Sequence, residues 1–292
     1  ERGLFIKKFE KKKCREIEKV SYPSKKIEFP KVDIELKFFP CDLISIAENG
    51  RKYFDLFKDF WLGQLGVYKK HERGELLKFD VFETIFLLKH CKAKVINLEN
   101  DEDLTPEKIF EFCGKKDVFK ALYEVYEDWR LRGFVVKTGY KFGSHFRIYF
   151  PGASPVREKG KWIHSKHVLH VFPKFEKLII SEWSRAIRVA HSVRKTFILG
   201  IPGMKEKDYV EMNLDFLAYH RDLKNNRVIT PEEKPSFAVL VLGEDEFIGG
   251  AELASALREA ENIGLDLLLA INGRESDVTY YITKQIDLPG SK

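Results

Sequence analysis

Residues 164–201 read HSKHVLHVFPKFEKLIISEWSRAIRVAHSVRKTFILGI, and residues 234–271 read KPSFAVLVLGEDEFIGGAELASALREAENIGLDLLLAI. Laid over one another with a constant shift of 70 and no gap, they share one grammar. Each holds an apolar run (168–172; 238–242), an amphipathic helical stretch (Ala186, Ile187, Arg188, Ala190; Ala256, Leu257, Arg258, Ala260) and a second apolar run (197–201; 267–271). Short apolar runs bounded by turn signals read as buried strands, and a period of three to four reads as a helix packed on one face. Repetition of strand, helix and strand in unbroken register points to duplicated units, although two unrelated βαβ pieces would share much of the same pattern. The departures carry the chemistry. His164 aligns with Lys234 and Lys195 with Leu265, so the second copy lacks the polar groups that would make the first reactive. The expected fold is α+β, built from duplicated small mixed α/β units, one reactive and one noncatalytic.

Upstream, Gly133 ends a helix running from Val118 to Arg130, and residues 134–137 and 145–150 alternate like paired strands joined through Gly139 and Gly143. Further helices are expected over 106–113 and 82–91, preceded by 53–68 with a turn around Gly63 and Gly66. Residues 1–48, basic between Lys7 and Lys19 and punctuated by Pro23, Pro30 and Pro40, read as strands without a core. The hexapeptide 2–7 echoes 132–137, as a truncated further copy would; an ordinary turn and strand explains it equally well. Four segments are therefore expected: a partial N-terminal unit (1–48), an N-terminal α+β domain (49–115), a catalytic C-terminal domain (116–225) and a noncatalytic structural unit (226–292).

The 292 residues are 44% hydrophobic, enough for one or two real cores. Lys plus Arg outnumber Asp plus Glu by 51 to 45, with a pI near 8.9, which suits contact with a polyanion. Cys14, Cys41, Cys91 and Cys113 form no CxxC pair, which argues against a structural zinc and a disulfide framework and for a reducing cytoplasm. No apolar run approaches the roughly 18 residues of a membrane span. The chain opens at Glu1 without a signal-peptide pattern, and its natural start is expected to be missing or removed.

Three motifs follow one another: RLRGFVVKTGYKFGSHFRIYFPG (130–152), IHSKHVLHVF (163–172) and SRAIRVAHSVRKTFILGI (184–201). Together, and over about residues 49–210, they resemble the archaeal tRNA-splicing endonucleases. The resemblance puts that family's catalytic tyrosine on Tyr149, its histidine on His164 and its lysine on Lys195. It implies an endonuclease that cuts precursor tRNA at both intron boundaries, in a bulge-helix-bulge, with no metal and no cofactor. Attack of a ribose 2′-hydroxyl on the neighbouring phosphate needs a base, an acid for the departing 5′-oxygen and positive charge for the phosphorane. Tyr149, His164 and Lys195 would fill these roles and leave 2′,3′-cyclic phosphate and 5′-hydroxyl ends. A phenol with pKa near 10 would have to be brought down, and the Lys195 ammonium is the expected cause.

Singly, each of the three has a plain reading: a packing tyrosine, a surface histidine, a helix-end lysine suited to the dipole. His145, His167, His170 and His191 are read as noncatalytic, with His170 a satisfied core histidine. The resemblance also implies that Arg188 stacks on a bulged base; a plain surface charge is the alternative, as Arg258 in the second copy suggests. The family's second clamping arginine has no counterpart in residues 209–214, and His220 and Arg221 are the available substitutes. The segment 151–163 carries Arg157, Lys159 and Lys161, a basic arm expected to touch RNA backbone, or else a solvated insertion. With one full triad per chain, a two-cut substrate calls for a homodimer. The loop 273–277 occupies the position of the family's acidic docking loop, which makes Glu275 and Asp277 the interface candidates. The order of segments resembles a rearranged three-unit type in which one chain supplies everything for a homodimer. Two other classes stay open: a noncatalytic RNA-binding or scaffold subunit, and a metal-dependent nuclease.

Overall fold

The computed structural model describes residues 27–65, 76–156, 163–219, 221–222, 227–228, 235–275 and 277–286. Arg157, Lys159, Lys161, His220, Lys234 and the echo at 2–7 lie outside the described residues, as does the side chain of Arg221. What is described mixes helices and sheets throughout, in keeping with the α+β expectation. No described helix is long and apolar enough to cross a membrane.

The first layer comprises β1 (Glu35–Phe39), β2 (Ile44–Glu48), α1 (Phe54–Phe60), β3 (Gln64–Leu65), β4 (Leu76–Asp80), α2 (Val81–His90), β5 (Lys94–Asn97) and α3 (Pro106–Phe112). Its sheet order is β3-β4-β2-β1-β5. Helix α2 starts where a capping box allows it: Asp80 accepts from the Glu83 amide at 2.8 Å, and Glu83 accepts from the Asp80 amide at 3.2 Å. Residues 35–48 are not strands without a core. Leu36, Phe38 and Ala47 are fully buried in one cluster with Ile85, Phe86 and Leu87 of α2. The partner that completes β1 is β5, which joins it in parallel far along the chain, Glu35 beside Lys94.

Helix α4 (Lys116–Leu131) links this layer to β6 (Val135–Thr138), β7 (Phe146–Tyr149), β8 (His167–Val171), β9 (Lys177–Ile179), α5 (Ile180–Ser192) and β10 (Thr196–Gly200). The sheet runs β10-β8-β7-β6. Its buried Val136, Phe146, Ile148, Leu169, Val171 and Ile198 share the core of the first layer.

The rest comprises β11 (Phe216–Ala218), the two-residue strands β12 (Arg221–Asp222) and β13 (Arg227–Val228), β14 (Phe237–Gly243), β15 (Phe247–Gly249), α6 (Gly250–Asn262), β16 (Asp266–Asn272) and β17 (Val278–Thr283). A second four-stranded sheet runs β11-β14-β16-β17. Pairings recur between the two sheets with 70 added to each partner: Phe146 faces Leu169 as Phe216 faces Val239, and Phe197 faces Val168 as Leu267 faces Ala238.

The two halves meet where β9 runs antiparallel to β15, Leu178 opposite Ile248. Hydrogen bonds beside this contact come in matched couples. Ile180 N donates to Glu246 O as Gly250 N donates to Glu176 O, and Ser181 N to Glu244 O as Ala251 N to Lys174 O. Adding 70 on one side and removing it on the other turns each bond into its mate, which describes a local two-fold axis between Leu178 and Ile248. Phe172, Ile180 and Trp183 close over it with Leu240, Ile248 and Leu253 in one apolar cluster.

Candidate active site

Strand register brings the expected residues to one end of one sheet. Tyr149 closes β7, paired with Val135 of β6. One step beyond the Ile148–His167 pair, the Lys166 amide donates to Ile148 O at 3.1 Å. One step before the His167–Thr196 pair, Thr196 N reaches Lys166 O at 3.3 Å. Tyr149, Lys166 and Lys195 therefore occupy one row across β7, β8 and β10. Because strand side chains alternate, Arg147 shares the face of Tyr149.

Lys195 reaches this row through a helix-end turn. Arg194 is left-handed at φ 57°, its amide bonded to His191 O, and the Lys195 amide returns to Ala190 O at 2.9 Å. Gly264 takes the equivalent turn in the second half, with Leu265 bonded to Ala260 O. The Lys195 ammonium donates to Ser165 O and, at 2.8 Å, to Ser165 Oγ, and lies 5.4 Å from the centre of the Phe142 ring. Ser165 is buried, while His164 beside it is exposed. The strand-end lysine is thus tethered to the residue next to the histidine. Burial, then the charges of Arg147 and Lys166, press the Lys195 pKa below the ordinary lysine value.

Tyr149 departs from expectation. The residue is only 5% exposed, and its ring leans on Trp61 with centroids 4.7 Å apart. Burial raises the phenol above its usual value. The cation beside it is Arg147, 5.8 Å from the ring centre, and its charge acts to lower the phenol; Lys195 is not among the charges acting on it. The expected lowering by Lys195 is thus replaced by a net rise, with Arg147 offsetting part of the burial.

His145, His167 and His170 are pushed down to about 4, chiefly by burial, and stay neutral near pH 7. His170 is not a satisfied core histidine: it is half-buried, its ring tilted against that of His145 with centroids 4.3 Å apart, and its Nδ1 lacks a partner. His191 is exposed in the last turn of α5.

Arg188 is exposed on α5. Its counterpart Arg258 is engaged by Glu206 at 2.6 Å and lies over the Tyr209 ring at 4.3 Å, a structural use. Glu275 and Asp277 are both exposed between β16 and β17. Arg274 in the same loop is paired with Asp245, its Nε 3.1 Å from both carboxylate oxygens.

Sequence reading missed Arg147, Lys166, Ser165 and Trp61. The first two were within reach: each lies two residues from a singled-out neighbour, the strand period that selects one face. Among the described residues no three His, Cys, Asp or Glu side chains gather as a metal-ligand set.

A family model described as tRNA intron endonuclease, catalytic C-terminal domain, matches residues 119–212. The tRNA-splicing endonuclease of Pyrococcus abyssi is 34% identical over 148 residues, 50% of this chain and 80% of that protein. That of Methanopyrus kandleri is 36% identical over 140 residues, 48% of this chain and 74% of that protein. That of Methanococcoides burtonii is 33% identical over 187 residues, 63% of this chain and 49% of that protein.

Proposed function

Because this chain belongs to the tRNA-splicing endonuclease family and is an endonuclease, we propose that it cuts precursor tRNA at both intron boundaries within a bulge-helix-bulge. The observation that carries this reading is the row Tyr149–Lys166–Lys195, with Lys195 tethered to Ser165, the residue next to His164 in the chain. The Tyr149 phenolate, held by Arg147, takes the proton of the 2′-hydroxyl as the bond from O2′ to phosphorus forms. The bond from phosphorus to O5′ breaks, and His164 gives its proton to O5′. Lys195, with Lys166 and Arg147 adding positive field, meets the charge on the phosphorane oxygens. Arg188 stacks on a bulged base, and Arg157, Lys159 and Lys161 follow the RNA backbone.

We read residues 116–225 as the catalytic domain and 226–292 as its noncatalytic duplicate; the paired registers and hydrogen bonds related by 70 positions support the duplication. We read residues 49–115 as the N-terminal domain; that β1 and β2 share a sheet with β3, β4 and β5 supports counting them with it.

The test is cleavage of an intron-containing precursor tRNA in EDTA, with analysis of the new ends. Cyclic phosphate and 5′-hydroxyl ends at both boundaries are expected. Binding without cleavage would favour the scaffold reading, and rescue by magnesium alone a metal nuclease.

The proposed homodimer docks through Glu275 and Asp277. Glu275→Lys with Asp277→Lys is expected to halve the mass seen by sedimentation at low micromolar concentration. An unchanged mass would remove this loop from the interface.

A further inference from the structure

The Tyr149 ring is roofed by a different layer of the molecule from the one that carries it. Trp61 directly follows α1 in the first layer, and its backbone is left-handed, φ 45° and ψ 45°. That conformation costs a bulky L-residue about 1–2 kcal/mol, so the surroundings must hold it. They do so from both sides. Leu62 N bonds Leu56 O within the first layer. From beyond the first layer, Ser154 Oγ, in the loop after β7, donates to Lys58 O at 2.7 Å, and Arg130 of α4 donates to Phe60 O at 2.7 Å. Lys137 takes Gly63 O at 3.3 Å, pairs with Glu83 at 2.5 Å and lies 6.0 Å from the centre of the Trp61 ring. Gly63, at φ +78°, leaves no room for a side chain: a Cβ there would come within 2.8 Å of Phe79.

The outcome is a small cluster of Tyr149, Val135 and Ala153 closed by the indole. Arg147 also lies near the phenol ring. A ring confined in this way cannot swing away from the row it shares with Lys166 and Lys195.

We propose that Trp61 is a positioning residue for Tyr149, by which the N-terminal domain fixes the general base of the neighbouring domain. The proposal rests on the reading of Tyr149 as that base. Packing alone would make Trp61 matter for stability only; positioning makes it matter for the chemical step through one particular side chain. Removing the roof also admits water to the phenol, which moves the alkaline side of the rate profile.

The experiment is single-turnover cleavage of precursor tRNA across pH, on the full chain. The variants are Trp61→Ala, Trp61→Phe, Trp61→Leu and Tyr149→Phe, with Trp61→Leu also made in the Tyr149→Phe background. Circular dichroism and thermal melting check the fold. Trp61→Leu keeps apolar bulk without a flat ring, so it serves where Trp61→Ala does not fold. The expected result is a rate loss of about 10–100-fold for Trp61→Ala or Trp61→Leu, the scale of a small misplacement at a reacting group. Substrate affinity stays within about twofold, the alkaline limb moves to lower pH, Trp61→Phe restores most of the rate, and no further loss occurs in the Tyr149→Phe background. Full activity of folded Trp61→Leu beside an inactive Tyr149→Phe overturns the positioning proposal alone, as does a Trp61→Leu loss that persists undiminished in the Tyr149→Phe background. Full activity of Tyr149→Phe overturns the base assignment and the positioning proposal with it.

Discussion

Lys195→Ala is expected to lower the rate of the chemical step by about 100–1,000-fold, the usual loss when one donor to a developing oxyanion is removed. The expectation follows from how the ammonium is held. Two bonds fix it on Ser165, the residue that follows His164 in the chain, and burial with two neighbouring cations presses its pKa below the ordinary lysine value. A tethered cation that loses little reorganisation energy at the moment of reaction is worth more than a mobile one. Binding should change little, because Arg147 and Lys166 keep positive charge on the same face; the loss then appears in the rate and not in KM. Lys195→Arg should recover only a small part, since a planar guanidinium cannot reproduce a point charge seated on one serine. Single-turnover cleavage at saturating enzyme measures this directly. A loss of less than about threefold would remove Lys195 from the chemistry.

The second large effect is acid sensitivity. His145, His167 and His170 hold folded pKa values of about 4, below the ordinary 6.5, because charging them inside the fold is costly. The unfolded chain therefore binds more protons than the folded one between these values, and stability falls as pH falls through that window. Each histidine gives up about 2 kcal/mol by pH 5 and about 3 kcal/mol by pH 4. Above pH 6.5 all three contributions are complete. Denaturant midpoints measured from pH 7.5 to 4.5 should decline steeply below about 6.5, and replacing His167 by Gln should flatten the decline. A midpoint constant down to pH 5 would show that these rings are charged or solvated in the folded chain.

Much of this was legible in the residues. The strand, helix and strand segments around 168–172, 186–190 and 197–201 appear with their boundaries moved by only a few residues, because apolar periodicity reports directly on one-sided burial. The gathering of Tyr149 and Lys195 at one end of a sheet follows from pairing register, which short alternating strands specify strongly; Lys166, between them in the row, was passed over. What stayed hidden depended on distant partners. The burial of Leu36 and Phe38 requires β5, and the environment of Tyr149 requires Trp61, which no local pattern near residue 149 could announce. The direction of the phenol shift was misjudged for that reason: the sequence displays the charges, whereas burial belongs to the assembled layers.

The contact between β9 and β15 has an evolutionary consequence. In a dimer of identical chains, any substitution at a two-fold axis arrives on both sides at once, and the interface can change only in ways that suit itself. Under the duplication proposed above, the axis between Leu178 and Ile248 lies inside a single polypeptide, and each side mutates alone. Lys177 and Phe247 hold equivalent positions on the two strands and no longer match. On that reading, joining the halves would have let one of them lose its reactive groups while the other kept them, a division of labour not open to a self-matching pair of identical chains.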